Sequence, residues 1–203
     1  LAEVIANTSI KNVIVAQLDD LIGVGIPDAP VAEGLGSPLR LTDVIEQGKA
    51  LEFDAPDISG DDLMFLQYTG GTTGLSKGAM LSHTNLVANI LQYAAFAGNH
   101  VHRGSEVVIT AIPMYHIFAL MVNTLSYYHF GGTSVLITNP TDMPAFVAEW
   151  SKWQVTVFTG VNTLYNGLLH TSGFADLDFS KLALSVGGGA PVQKAVSDRW
   201  KAV

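Results

Sequence analysis

The sequence contains no cysteine, which excludes disulfides, thiolate-bound zinc and cysteine nucleophiles while assigning no compartment, so cytoplasm is the default. It is also poor in charge. Charged residues make up 14% against 48% hydrophobic, a leaner fraction than the ~25% of ordinary soluble domains, so part of the apolar surface is expected to face neighbours outside these residues. Basic residues are the scarcer sign: 10 Lys plus Arg against 18 Asp plus Glu leave a net charge of -8, which repels a phosphate backbone and excludes nucleic acid as a partner. No uninterrupted apolar run reaches the ~18 residues of a membrane-spanning helix. The opening LAEVIANTSIKN has neither an initiating Met nor the basic-then-apolar pattern of a signal peptide. Beginning in mid-pattern and stopping at the end of an apparent helix, the chain is expected to be a segment of a longer one.

What is present is patterned. The 203 residues suffice for one large domain or two small ones with a sizeable core. A short helix is predicted over 1–7, a strand over 12–17, a Gly, Pro and Asp-rich connection over 19–37, and a helix over 41–47 capped by Thr42 or Asp43. After a loop over 53–61, a strand over 63–68 and renewed apolar character over 79–81 flank a Gly/Thr loop. The cluster Ser82-His83-Thr84-Asn85 can then cap a helix to Ala97, whose Leu86, Val87, Ile90, Leu91 and Ala94 recur with helical spacing. Beyond it the chain alternates: strand 106–112, helix 118–128, strand 133–137, helix 143–153, strand 155–158, strand 182–186, and a helix from Pro191 to Lys201, with Pro191 in the first turn. Such alternation predicts an α/β fold, a layered domain with a largely parallel sheet and flanking helices.

The segment Thr69-Gly70-Gly71-Thr72-Thr73-Gly74-Leu75-Ser76-Lys77-Gly78 concentrates glycine, threonine and one lysine. Glycines let backbone N–H groups approach an anion, threonine hydroxyls donate to phosphate oxygens, and lysine brings a mobile positive charge. A polyphosphate cradle accounts for all of these together; a flexible hairpin loop accounts for fewer. The P-loop pattern does not fit, because Ser76 precedes Lys77 and Gly78 follows it. The apolar stretch after the loop points to a link between two strands, so a helix N-terminus is not expected to be the main phosphate binder. His116, in Pro113-Met114-Tyr115-His116-Ile117-Phe118, is by itself more often a packed or exposed structural residue than a catalytic one. The turn Gly187-Gly188-Gly189-Ala190-Pro191 is either a tight connection or a flat surface on which a ring can lie. His83, His100, His102, His129 and His170 have no metal-ligand spacing and read as surface or capping residues. Trp150, Trp153 and Trp200 read as core or interface.

The run YTGGTTGLSKGAMLSH resembles the phosphate-binding segment of the adenylate-forming superfamily: acyl-CoA synthetases, luciferases and peptide-synthetase adenylation domains. Taken with PMYHIFAL and TGVNTLYNGLL, it most resembles bacterial long-chain fatty acid–CoA ligases. The resemblance runs from about Asp62 to the C-terminus and is looser over 1–61, so residues 1–203 are expected to be part of the large N-terminal AMP-binding domain, with 62–203 the nucleotide- and acyl-site core. It implies ATP, Mg²⁺ and coenzyme A as cofactors and co-substrates and a fatty acid as substrate. Thr69, Gly70, Gly71, Thr72, Thr73, Gly74 and Lys77 would hold the ATP phosphates, with Thr69 assigned to the metal. His116, as the residue nearest the chemistry, would orient the acyl carboxylate. General-base work is not required of it, since a carboxylate is already ionised at neutral pH. Gly187, Gly188, Gly189, Ala190 and Pro191 would line the adenine pocket and the adjoining acyl tunnel, Val161-Asn162-Thr163-Leu164 would form another pocket wall, and Leu120 would lie near the tunnel entrance. Core packing explains the apolar members of that set equally well. The resemblance also implies a cytoplasmic enzyme, free or peripheral on the inner face of the membrane, and is compatible with a homodimer. The family's Tyr-Gly-x-Thr-Glu segment, its ribose-binding Asp and its C-terminal domain with a catalytic Lys would lie beyond Val203, so the isolated chain is expected to be inactive. The rival readings are an adenylation domain for another carboxylic acid, aryl or carrier-protein-loading, and a non-catalytic nucleotide-binding module.

Overall fold

In the computed structural model, which describes residues 1–69 and 76–203 and of Thr69 only the backbone, the chain divides into Leu1–Asp57 and Ile58–Val203. In the first unit β1 (Ile14–Val15) pairs in parallel with β2 (Leu39–Arg40), and α1 (Leu41–Gly48) follows at once. Because α1 leaves directly from a strand, Arg40 is its N-cap and no side chain caps it. Thr42 and Asp43, the expected caps, sit inside the first turn, where Asp43 still favours the positive helix end. The helix expected over 1–7 shrinks to the single 3-10 turn Ile5–Asn7. The long connection is tied by carboxylates. Asp19 Oδ1 accepts the N–H groups of Val24 at 2.7 Å and Gly25 at 3.1 Å, and Asp20 accepts Gln17 N–H at 2.8 Å and the Arg40 guanidinium at 2.6 Å.

The second unit opens with an antiparallel hairpin, β3 (Leu63–Thr69) and β4 (Lys77–Ser82). Helix α2 (His83–Ala97) begins on a reciprocal capping box: Ser82 Oγ accepts Asn85 N–H at 3.4 Å while Asn85 Oδ1 accepts Ser82 N–H at 3.0 Å. The main sheet is wholly parallel, with β5 (Val107–Thr110), β6 (Thr133–Leu136), β7 (Val157–Gly160) and β8 (Leu184–Gly187) in the order β6-β5-β7-β8. The strand expected over 106–112 is narrower than its apolar run because Ala111 and Ile112 turn out of the ladder and into the core.

Connectivity dictates the layers. From β5 the chain steps one way to β6, then back past β5 to β7 and on to β8. Right-handed crossovers therefore throw the first connection onto one face and the later ones onto the other. On the first face Val108 and Val157 pack with Tyr127, Phe130 and the α2 residues Tyr93 and Ala94. On the second, Ile109 and Phe158 pack with Phe146 and Trp150 of α4 (Met143–Trp150), with Leu164, Tyr165 and Leu168 of α5 (Asn162–Leu169), and with Val196 of α6 (Lys194–Trp200). Fully burying each of these large side chains stabilises the fold by ~1.5–3 kcal/mol, and the aromatic rings interlock: Trp150 lies 4.9 Å from Phe158 and 5.6 Å edge-on to Phe174, with Trp200 5.3 Å from Phe158. Trp153 is instead on the surface, its Nε1–H donating to Glu149.

Three elements depart from expectation. The stretch read as an ordinary helix over 118–128 is a π-helix at Ala119–Ser126 running into α3 (Tyr127–Phe130). Its wider winding shows in side-chain bonds to carbonyls five residues back, Thr124 Oγ1 to Ala119 O at 3.3 Å and Ser126 Oγ to Met121 O at 2.8 Å. Helix α5 was not expected at all. Pro191 lies before α6, which starts at Lys194 with Gln193 as N-cap. No helix among the described residues is long and apolar enough to cross a membrane.

Candidate functional site

In an open parallel sheet the connections leaving adjacent strands in opposite directions open a crevice at the strands' carboxyl ends. Here that reversal lies between β5 and β7, and a cavity of about 490 Å³ sits there. Its wall comes from all four strand exits: Ala111, Ile112, Pro113, His116 and Phe118 after β5, Pro140, Thr141 and Met143 after β6, Val161, Thr163 and Leu164 after β7, and Gly189 after β8. The wall is mostly apolar, with few polar groups, the usual make-up of a small-molecule site.

His116 is set by a tight turn. Its backbone N–H donates to Pro113 O at 2.9 Å, its carbonyl accepts Leu120 N–H at 3.0 Å, and its ring Nδ1 accepts Phe118 N–H at 3.2 Å. An Nδ1 that accepts leaves the proton of the neutral ring on Nε2, the ring's one remaining N–H donor. The π-helix that follows is anchored by Asn123, which is completely buried. Its Nδ2 donates to Ile109 O and Thr110 Oγ1, both at 3.1 Å, and its Oδ1 accepts Thr159 Oγ1–H at 2.8 Å. Thr110 in turn shares a 2.7 Å hydroxyl contact with Ser134. One side chain thus links β5 and β7, the two strands that diverge around the cavity, and anchors the helix that begins just after the His116 turn.

The glycine turn is built for close approach. A methyl at 188 would lie 2.7 Å from the Phe118 ring, so the ring that rests on this backbone is the protein's own, and Gly189, at φ +77°, takes the left-handed region that favours glycine. Gly188 N–H prolongs the β7–β8 ladder to Gly160 O at 3.1 Å. Of the expected pocket residues, His116, Val161 and Gly189 meet at the cavity. Leu120 lies one helical turn beyond His116 on the π-helix, and Asn162 uses its Oδ1 to accept Gln193 N–H at 2.8 Å, fixing the start of α6. Gly187, Gly188, Ala190 and Pro191 form the rest of the turn. Sequence reasoning missed Phe118, Pro140, Thr141 and Met143. The segment Asn139-Pro140-Thr141-Asp142 follows the parallel strand β6 after Ile137 and Thr138, in the connection where a site is expected on topology alone.

Lys77 opens β4 and is paired across the hairpin with the backbone of Thr69. Gly70, Gly71, Thr72, Thr73 and Gly74 lie outside the described residues. The expected strand-to-strand link is present, since β3 and β4 are hydrogen-bonded neighbours. Away from the cavity, burial pushes the Tyr127 and Tyr165 phenols well above their ordinary range. Tyr127 shares a 3.0 Å contact with the hydroxyl of Tyr93, whereas the Tyr165 hydroxyl has no partner among the described residues.

Fold and cavity define an open-sheet α/β protein with an apolar cavity at the sheet's reversal point. The chain belongs to the AMP-binding enzyme family, which it matches over residues 1–203. It is 42% identical over 211 aligned positions to the long-chain-fatty-acid–CoA ligase of Salmonella typhimurium, covering 98% of this chain and 38% of that protein. To the ligase of the same name from Yersinia pestis it is 51% identical, over 78% of this chain and 28% of that protein. Among solved structures, ATP-bound MatB from Rhodopseudomonas palustris superposes with a TM-score of 0.67 at 26% identity, over 99% of this chain and 39% of that one. The chain therefore spans well under half the length of the relatives it matches.

Proposed function

We propose that this chain supplies the ATP-phosphate and acyl-carboxylate portion of an AMP-forming fatty acid–CoA ligase. The observation that carries this reading is the apolar cavity at the β5–β7 reversal with a histidine N–H donor in its wall, which fits an apolar chain ending in an anion. The two ligases of that name, at 42% and 51% identity, support it. In the proposed reaction a carboxylate oxygen attacks the α-phosphorus of ATP, the bond to the β-phosphate oxygen breaks, and pyrophosphate leaves with the electron pair. The thiol sulfur of coenzyme A then bonds to the acyl carbon as AMP departs and the thiol proton passes to solvent. His116 Nε2–H would hold the carboxylate in line for attack, and Val161, Leu120 and Asn162 would position the acyl end directly or through the helices that carry them.

Thr69, Gly70, Gly71, Thr72, Thr73, Gly74 and Lys77 would neutralise and orient the phosphates, the main task in a reaction of this kind. The Gly187 to Pro191 turn would border the adenine with whatever backbone the Phe118 ring, which already covers Gly188, leaves open. The loop's donors are hydroxyls and an ammonium with no carboxylate, so Mg²⁺ would be held chiefly by phosphate oxygens, with the Thr69 hydroxyl as one hard ligand and no anionic ligand from the loop. Bound there, Mg²⁺ would supply charge neutralisation. Fatty acids partition into bilayers at ~0.8 kcal/mol per methylene, so a cytoplasmic enzyme peripheral on the inner membrane face would meet its substrate there.

The test is mass-spectrometric detection of acyl-AMP and acyl-CoA formed by a full-length protein carrying these residues, offered short, long and aromatic acids. Long-chain acids should give both products, and Lys77→Ala should lower kcat/KM for ATP by about 100-fold, the scale of losing one charge-stabilising donor. Products from aromatic acids alone would replace the fatty acid with an aryl acid in the scheme, and no product from any acid would defeat it.

A further inference from the structure

This inference rests on the acyl-site reading above and concerns what sets the length of the chain the cavity accepts. Met143 is the first residue of α4, and its backbone is fixed by the cap beside it, where Asp142 Oδ1 accepts Ala145 N–H at 3.1 Å. Its side chain lines the cavity and also packs against the core beneath. Across from it, in the last turn of α5, stands Gly167. Glycine inside a helix is less favourable than alanine by ~1 kcal/mol, and here the space decides the residue: a methyl at 167 would lie 2.7 Å from Met143 Cε and 3.4 Å from Sδ. The thioether lies in the gap that the missing side chain leaves. Phe146, Leu164 and Leu168 fill the adjoining core, so the open volume beside Met143 is the cavity. An unbranched, polarizable side chain with three rotors is suited to being a wall that yields.

We infer that Met143 is a displaceable end wall of the acyl cavity and that Gly167 is the slot receiving its thioether, so that this pair determines how long an acyl chain the site takes. Filling the slot drives the thioether into the cavity and shortens it. Removing the thioether opens the cavity toward α5.

The experiment is a competition among a homologous series of saturated fatty acids, read as relative kcat/KM for acyl-AMP formation by the full-length protein and three variants. Gly167→Ala should move the optimum to shorter chains, with the longest accepted acid losing about tenfold against one two carbons shorter, the equivalent of two methylenes left unburied. Met143→Ala should move the optimum the other way. The double variant should recover the long chains that Gly167→Ala loses, which a general loss of helix packing would not produce, and the alanine itself favours the helix. An unmoved profile, or an equal loss at every chain length, overturns the inference while leaving the proposed function intact. A wild-type protein that adenylates no fatty acid overturns both.

Discussion

Asn123 shows how one residue can hold a site it does not touch. Its amide satisfies a backbone carbonyl and a hydroxyl of β5 and accepts a hydroxyl of β7, so Asn123→Ala leaves several buried polar groups without partners. The expected cost is about 3 kcal/mol, since each orphaned group costs ~1–3, visible as a lower urea midpoint with an unchanged slope. Tyr165 is the opposite case. Its hydroxyl is buried without a partner among the described residues, and Tyr165→Phe should leave the urea midpoint unchanged or raise it by up to about 1 kcal/mol equivalent; a clear loss would mean that the hydroxyl is satisfied. Asp20 carries a pH dependence. Its backbone bond from Gln17 and the Arg40 guanidinium hold its carboxyl below the ordinary 3.8. A depressed folded-state value stabilises above the unfolded value and is lost as pH falls through the folded one. The 1–57 unit should therefore loosen below pH 3.8, and an NMR titration of the Asp20 carboxyl should give a midpoint under that value. None of these three roles was legible in the sequence. The partners of Asn123 stand 13, 14 and 36 positions away, and an orphaned hydroxyl is a property of packing.

At the scale of elements, local chemistry was readable where it was self-contained. The cluster 82–85 was identified as a cap, and it forms one. Ser82→Ala should cost about 1 kcal/mol, with faster amide exchange confined to the first turn of α2; protection unchanged there would show that packing against the π-helix alone fixes the helix start. Where tertiary contacts decided, sequence reasoning went astray. Pro191 was expected inside the last helix, but the bond from Gln193 to Asn162 begins α6 later. Helix α5 escaped notice because Gly167 weakens its pattern and its apolar residues had been read as pocket wall. The π-helix was invisible because its extra residue per turn serves the buried Asn123.

For the whole molecule, the alternation of strands and helices was enough to foresee a parallel layered sheet, since crossover handedness leaves few arrangements. The strand order, and with it the place of the cavity, was not written in any single segment. Positions 113, 140, 161 and 189 meet there, each a connection apart along the chain. That assembly bears on folding kinetics. The hollow has no precursor in any hairpin or local helix pair and comes into being only when the fourth strand docks, after the loop-closure entropy of three crossovers has been met. In pulsed hydrogen exchange during refolding, the β3–β4 hairpin and α2 should gain protection early and the amides around Gly188 last, so that the ability to receive a guest reports on the final step of folding.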